Sequence, residues 1–270
     1  MRRIALVLLT VVLLSITISG QELSAGDKQI VESARSKYYN LESLGFQSAI
    51  CSVSFDISTI PLLPLEKNEE SYKLLRATRF ILKLEGMNPS VLYSYPTGTN
   101  ERAQQRVAPM ANLLKSLVMG LFQTWPTKGL HGPIPAFDSM IQSVVATNDG
   151  YVMILKVSGG PVRIEMNKDY LVNRIISIGG KIDEHPYYVP TPDGLIFAGN
   201  SAIDDSEQGG RVEVQYVLEN ALVDGLRLPS SAHLLVNRNI DVRFALSDCT
   251  VNKGVVIVVK PTKVNDQKQP

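Results

Sequence analysis

Residues 211–252 read RVEVQYVLENALVDGLRLPSSAHLLVNRNIDVRFALSDCTVN, and this stretch decides the fold class. Apolar and polar residues alternate through it, as they do in strands with one buried face. Asp224 and Gly225 predict a tight turn, because glycine tolerates a positive φ and aspartate bonds to nearby backbone. Pro229 belongs at a strand start or an edge, since it cannot donate to a ladder. The stretch therefore predicts a strongly curved antiparallel sheet with a continuous apolar face.

The first twenty residues have the pattern of a cleaved secretory signal. Arg2 and Arg3 precede the apolar residues 4–18, and small residues stand just before Gln21. This apolar run is shorter than the roughly 20 residues that span a bilayer, so cleavage is favoured over retention as an anchor. We expect an exported bacterial protein, periplasmic or extracellular, with no stable membrane span after cleavage of residues 1–20.

The rest of the chain predicts one domain over residues 21–260 and a flexible polar tail over residues 261–270. Removing Arg2 and Arg3 from the 27 basic residues leaves 25, against 26 acidic residues. A nearly neutral chain without a basic block argues against nucleic acid as the partner.

The chain has two cysteines, Cys51 and Cys249, near opposite ends of the predicted domain. In an exported protein two cysteines favour one disulfide. Two buried, reduced thiols that act as small hydrophobic side chains are the alternative. There is no Cys-x-x-Cys motif, which argues against thiol-exchange chemistry.

Helical periodicity predicts three helices before the long run of strands. The first runs from an N-cap at Asp27 to about Asn40, and the second covers residues 67–77. The third is strongly apolar. We expect it to begin at Pro109, with the proline in its first turn, and to end before Pro126.

Period-two alternation predicts the strands. One begins at Phe46, a hairpin joins residues 80–85 to residues 91–95, and strand follows strand from Met140 onward. Residues 179–194, rich in proline and tyrosine, are predicted to be a long loop. Strands adjacent in sequence should be adjacent in the sheet, and edges remain unless the sheet closes.

These features together resemble the LolA/LppX-type lipoprotein-carrier superfamily. The resemblance implies an α+β fold in which a strongly curved antiparallel sheet forms an unclosed β-barrel (half-barrel) covered by helices, with acyl chains in the hollow. Carriers of this type tie the covering lid to the barrel through an arginine, which Arg79, Arg102, Arg106 and Arg174 match by residue type alone. The residues that carry the resemblance are Tyr216, Val223, Asp224, Gly225, Leu228, Pro229 and the strand over 240–252.

No local catalytic signature accompanies this pattern. The chain has no Gly-x-Ser-x-Gly elbow, no His-Glu-x-x-His motif and no glycine-rich phosphate cradle after a strand. His131, His185 and His233 are far apart in sequence and share no metal-ligand spacing. We therefore predict a protein that is not an enzyme and needs no metal or cofactor. A hydrolase assembled from serine, histidine and aspartate residues that are distant in sequence is an alternative hypothesis.

The apolar residues lead to the functional prediction. We expect a non-enzymatic binding protein that carries or senses a lipid or another hydrophobic ligand, bound mainly by apolar burial. The alternative is a structural or assembly module of the cell envelope, with a packed core and a protein partner. The same apolar side chains would also suit an ordinary core. The predicted ligand-lining residues are Phe55, Leu82, Leu117, Leu121, Met153, Leu155, Ile164, Val214, Tyr216 and Phe244.

Overall fold

The structure is a computed structural model that describes residues 23–59, 69–177, 179, 182–205 and 210–254. The predicted signal segment and the predicted polar tail lie outside these residues. So do residues 67 and 68, where the second helix was predicted to begin.

In the described part of the chain, twelve strands form one antiparallel sheet. They are β1 (Phe46–Phe55), β2 (Arg79–Glu85), β3 (Asn88–Ser94), β4 (Ile141–Ala146), β5 (Gly150–Val157), β6 (Gly160–Asn167), β7 (Val172–Ser177), β8 (Ile182–Thr191), β9 (Gly194–Asp204), β10 (Val212–Val223), β11 (Leu226–Val236) and β12 (Ile240–Lys253). The helices are α1 (Ala25–Arg35), α2 (Glu69–Ala77) and α3 (Glu101–Thr124).

The strand order is β3-β2-β1-β12-β11-β10-β9-β8-β7-β6-β5-β4. Every neighbouring pair is also consecutive in sequence except β1 and β12, so the predicted antiparallel meander is confirmed. Among the described strands the sheet is open, with β3 and β4 as its edges. The finer prediction, a half-barrel covered by helices, stays a prediction.

The β1–β12 pairing is covalently fastened, because Cys51 and Cys249 form the predicted disulfide. Ile50 is paired with Thr250 and Ser52 with Ser247, so β12 has one extra residue opposite Cys51. This β-bulge includes Asp248, whose φ is 49°. Cys51 is only 2% exposed, so its half of the disulfide is within the core.

The third helix begins at Glu101, eight residues before Pro109, so the predicted start at Pro109 was wrong. Asn100 caps it, because the Asn100 side chain accepts a hydrogen bond from the backbone N–H of Ala103 at 2.8 Å. Pro109 lies inside α3 and leaves one backbone carbonyl without its helical donor, at a cost of about 3 kcal/mol. Val107 is fully buried, so apolar packing already holds the helix on the N-terminal side of the proline.

The bounds predicted for the first helix were also wrong. Ser24, rather than Asp27, is the N-cap, and its hydroxyl accepts a hydrogen bond from the backbone N–H of Asp27 at 3.1 Å. The helix ends at Arg35 instead of Asn40. It ends there because residues 37–39 bond to Leu195 of β9, whose backbone N–H donates to the Lys37 carbonyl at 2.7 Å.

The loop predicted over residues 179–194 is mostly strand β8, which contains Pro186 and Pro190. Among the described residues, β7 pairs with β8 only at Asp183 and Glu184. Both prolines therefore lie where β8 pairs with β9 alone, and a strand tolerates proline where one side carries no ladder.

The same constraint accounts for Pro229, which was predicted at a strand start or an edge. It lies inside β11, at a point where β10 is the only paired neighbour among the described residues. The described β12 pairing reaches β11 only as far as Ser231, and a bulge at Ser230 precedes it. The turn before β11 is as predicted: Asp224 and Gly225 have φ values of 50° and 77°, as a two-residue type I′ hairpin requires.

Buried apolar side chains form two clusters on this sheet. The first joins α2 and α3 to β1–β3 and β9–β12. The second joins α1 to β4–β7. Among the described residues, no helix combines the length and the apolar composition that crossing a membrane would require.

Replacing both cysteines by alanine is expected to lower the free energy of unfolding by about 2–4 kcal/mol, because the disulfide restricts the unfolded chain. Equilibrium urea unfolding measures the change. The reduced wild-type protein is the matched control and should lose a similar amount. Equal stability of the oxidised wild type and the double variant would contradict this prediction.

Candidate functional site

The space between α3 and the sheet is filled by side chains. Leu114, Val118 and Phe122 on α3 are fully buried, and so are Leu82 of β2 and Val242 of β12. These residues belong to the same cluster. An apolar ligand would have to displace α3 to reach this part of the sheet.

The structure does not bring the ten predicted lining residues onto one surface. Met153, Leu155 and Ile164 belong to the second cluster, under α1. The other seven belong to the first cluster or pack against it. Of these seven, Phe55 and Phe244 also line an open cleft.

Two surface clefts adjoin where β1 ends. The first has a volume of about 690 Å³ and is bordered by residues of β1, β10, β11 and β12. The second has a volume of about 600 Å³ and lies among β1, β2 and the end of α2. Ser54 and Phe55 line both, so we treat the pair as one site, the Phe55 site. Each volume is within the range of small-molecule sites, roughly 300–1,000 Å³.

An aromatic row crosses the Phe55 site. The ring centroid of Phe55 lies 4.9 Å from that of Phe80 and 5.8 Å from that of Phe244. The Phe80 ring in turn lies 5.6 Å from that of Tyr93. The strand register produces the row, because Phe55 is paired with Phe244 across β1 and β12, and Val53 with Phe80 across β1 and β2.

Charged groups stand beside the aromatic row. Arg76 and Arg79 line the second cleft, and Arg243 lines the first. Hydrogen bonds from the hydroxyl and backbone N–H of Ser58 lower the pKa of the Asp56 carboxyl, and the nearby charges of Arg243 and Arg76 lower it further. Asp56 is therefore ionised at neutral pH, and two of the arginines lie close enough to feel its charge.

The first cleft also contains serine and histidine side chains, but not in a catalytic arrangement. Nε2 of His233 lies 3.0 Å from Oδ1 of Asp241. The Ser231 hydroxyl donates to Glu219 at 2.8 Å instead of to His233. A nucleophile paired with its base, which the hydrolase hypothesis needs, is therefore not formed by these residues.

The other two histidines are elsewhere. Nδ1 of His131 lies 2.8 Å from Glu42, and Nε2 of His185 lies 3.5 Å from Asp183. No group of three or more His, Cys, Asp or Glu side chains that could hold a metal ion occurs in the described part of the chain.

Sequence reasoning missed a buried polar cluster between β8, β9 and the π-helical turn Pro126–Leu130 that follows α3. Nζ of Lys128 lies 2.7 Å from Oε2 of Glu184, and Nδ2 of Asn200 donates to the same oxygen at 2.7 Å. The side chains of Lys128 and Glu184 are 5% and 20% exposed. The three residues are far apart in sequence and no motif relates them, so only the sheet register brings them together.

Two tyrosines extend this cluster. The Tyr216 hydroxyl lies 3.5 Å from the Thr124 hydroxyl, and Tyr188 lies between Tyr38 and Phe197, with ring centroids 4.9 and 5.6 Å away. Burial raises the pKa of both Tyr188 and Tyr216, so both phenols stay protonated at neutral pH. The polar cluster thus lies where the two apolar clusters meet.

The arginines named by the resemblance have separate positions. Arg79 lines the second cleft, and Arg102 and Arg106 are exposed on α3. Arg174 donates two hydrogen bonds to Asp183 at 2.8 and 2.7 Å, which joins β7 to β8. The cation that joins the segment after α3 to the sheet is Lys128, through its ion pair with Glu184.

Replacing Lys128 by methionine is expected to destabilise the protein by about 3 kcal/mol, because Glu184 would keep a buried charge without its cation. The double variant Lys128→Met, Glu184→Leu should recover most of this loss. Equilibrium urea unfolding measures both.

Arg174→Met is the matched control. It breaks the more exposed pair with Asp183, and we expect a loss of about 1 kcal/mol or less. Equal losses in Lys128→Met and Arg174→Met would contradict the buried character of the Lys128–Glu184 pair.

Comparison with known proteins leaves the family of this chain open. No family model, curated protein or solved structure matches it. Membership of the lipoprotein-carrier superfamily therefore stays a prediction from the sequence.

Proposed function

We propose that this protein is a non-enzymatic binding protein that holds an amphiphile, with an acyl tail and an anionic head, at the Phe55 site. The observation that carries the proposal is the pair of clefts that share Phe55, at the centre of an aromatic row. This proposal keeps the ligand class expected from the sequence but moves the ligand from the space beneath α3 to the end of β1.

The tail is argued from the apolar lining. Phe55 lines both clefts, Val217, which is 59% exposed, lines the first, and Ile81, which is 38% exposed, lines the second. Apolar surface removed from water contributes about 25 cal/mol per Å² before the costs of ordering the ligand. A flexible chain can follow two adjoining clefts, whereas a rigid, compact ligand would fill only one of them.

The charged residues that line the two clefts indicate where the head group binds. In the second cleft Arg76 and Arg79 face one carboxylate, that of Asp248. The excess positive charge favours an anionic head, and guanidinium groups bind carboxylates and phosphates in a bidentate manner. In the first cleft Asp56 and Glu219 face Arg243, so the head is assigned to the second cleft, and the tail extends past Phe55 into the first.

Binding at this site does not require α3 to move. Displacing Leu114, Val118 and Phe122 would expose three fully buried side chains, at a cost of about 5 kcal/mol or more. The disulfide between Cys51 and Cys249 supports an oxidising compartment, in line with the predicted export.

The second candidate function is the cell-envelope module with a protein partner. The filled interior supports it, because such a module needs no hollow. The two candidates differ in what accompanies the purified protein, which is an amphiphile in the first case and another polypeptide in the second.

Native mass spectrometry of protein purified without detergent tests the proposal. We expect adducts of the mass of a fatty acid or phospholipid, or uptake of added dodecanoate, together with a rise in melting temperature. A chain that stays free of ligand, and whose melting temperature is unchanged by dodecanoate, would exclude amphiphile binding.

The position of the site is tested with variants. Phe55→Ala should weaken the binding of a fluorescent fatty acid about tenfold, because a large part of the tail contact is lost. Tyr187→Ala, which removes an aromatic ring that is 60% exposed on β8 and outside both clefts, is the control and should bind as the wild type does. Equal affinities of the two variants would place the ligand elsewhere.

A further inference from the structure

The two edges of the open sheet differ in how they are protected. At the β3 edge, Glu85 and Asn88 close a two-residue hairpin, so the alternating ladder directs the nitrogen of Pro89 toward the open side. That nitrogen carries no hydrogen, which removes one donor from the edge. Proline on an edge strand is a known protection against pairing with another chain.

The β4 edge lacks this protection. The strand reads IQSVVA and contains no charged residue and no proline. A bulge at Gln142 interrupts its start, which leaves Ser143 to Ala146 as a regular stretch. Val145 is 53% exposed, although valine is most often buried.

Hydrogen-bond alternation shows which backbone groups of β4 face outward. The backbone N–H of Thr147 donates to the carbonyl of Gly150 at 2.8 Å, which closes the turn to β5. In an antiparallel ladder every second residue bonds to the same neighbour, so Val145 and Ser143 bond to β5. The N–H and C=O groups of Val144 and Ala146 therefore point to the open side. Among the described strands, β5 is the only one that pairs with β4.

We propose that two copies of this chain pair through β4, antiparallel and about a two-fold axis at Val145. In this register Val144 of each copy exchanges hydrogen bonds with Ala146 of the other. The two Val145 side chains face each other as a non-hydrogen-bonded pair, the type in which side chains lie closest. The pairing joins two twelve-stranded sheets into one.

The partner of the β4 edge is a second copy of this chain, because this edge is complementary to itself. β4 carries no charge, so a copy meets no repulsion and needs no charged counterpart. An isologous pair about a two-fold axis is closed, because each copy uses its β4 edge in the one contact, so pairing through β4 stops at two chains instead of growing into a fibre.

Sedimentation velocity of the full chain purified after export, over a concentration range of about 1 to 100 μM, tests for the dimer. We expect a concentration-dependent shift from one chain to two. Val145→Lys places two like charges on the two-fold axis and should weaken the dimer about tenfold or more. Val189→Lys, at a valine that is 51% exposed on β8 and outside both clefts, is the control and should dimerise as the wild type does.

Cysteine trapping tests the register. Val145→Cys should form an interchain disulfide under mild oxidation, because the Cα atoms of a non-hydrogen-bonded pair are close enough to be bridged. Val189→Cys should not. A wild-type chain that stays monomeric over the whole range, a dimer unaffected by Val145→Lys, or equal trapping of both cysteine variants would each overturn the proposal.

Discussion

The pairing of β1 with β12 is the interaction on which the rest of this structure depends. Every other strand pair in the described sheet joins strands that are consecutive in the chain, and most of these pairs need only a short turn, although α2 lies between β1 and β2. Without the β1–β12 ladder, β1–β3 and β4–β12 would be two separate sheets. The ladder closes a loop of 198 residues between Cys51 and Cys249, which is unfavourable in chain entropy until its contacts form. The disulfide at this point keeps the two sheets joined.

The same joint sets the position of the proposed binding site. Phe55 is the last residue of β1, and its pairing with Phe244 of β12 brings the aromatic row and both clefts together. On β8 and β9, the carboxylate of Glu184 accepts a hydrogen bond from Asn200 and forms an ion pair with Lys128. This ion pair fixes the turn that follows α3 to the sheet. Side chains thus fill the space beneath α3, whereas two surface clefts adjoin the end of β1. This contrast is the physical reason for assigning the ligand to the Phe55 site.

The sequence predicted those parts of the fold that depend on local pattern. Alternation located the meander, the positive φ at Gly225 fitted the predicted turn, and the two cysteines were joined as favoured. Two of the errors have a common cause, since Pro109 was treated as a helix start and Pro186 and Pro190 as parts of a loop. Each is tolerated inside an element through tertiary context, which is helix packing in the first case and the absence of one neighbouring strand in the others. The Lys128 cluster and the Phe55 clefts are each formed by residues that are distant in sequence. Their assembly depends on how the strands pair, which no local sequence pattern shows.

The central claim, that an amphiphile binds at the Phe55 site and not beneath α3, is tested most directly by NMR of phenylalanine-labelled protein titrated with dodecanoate. The chain has seven phenylalanines, so each ring signal can be assigned by substitution. The account predicts that the signals of Phe55, Phe80 and Phe244 shift, while those of Phe122 and Phe197, which line neither cleft, stay in place. Shifts of Phe122 and Phe197 with Phe55 unchanged would contradict it.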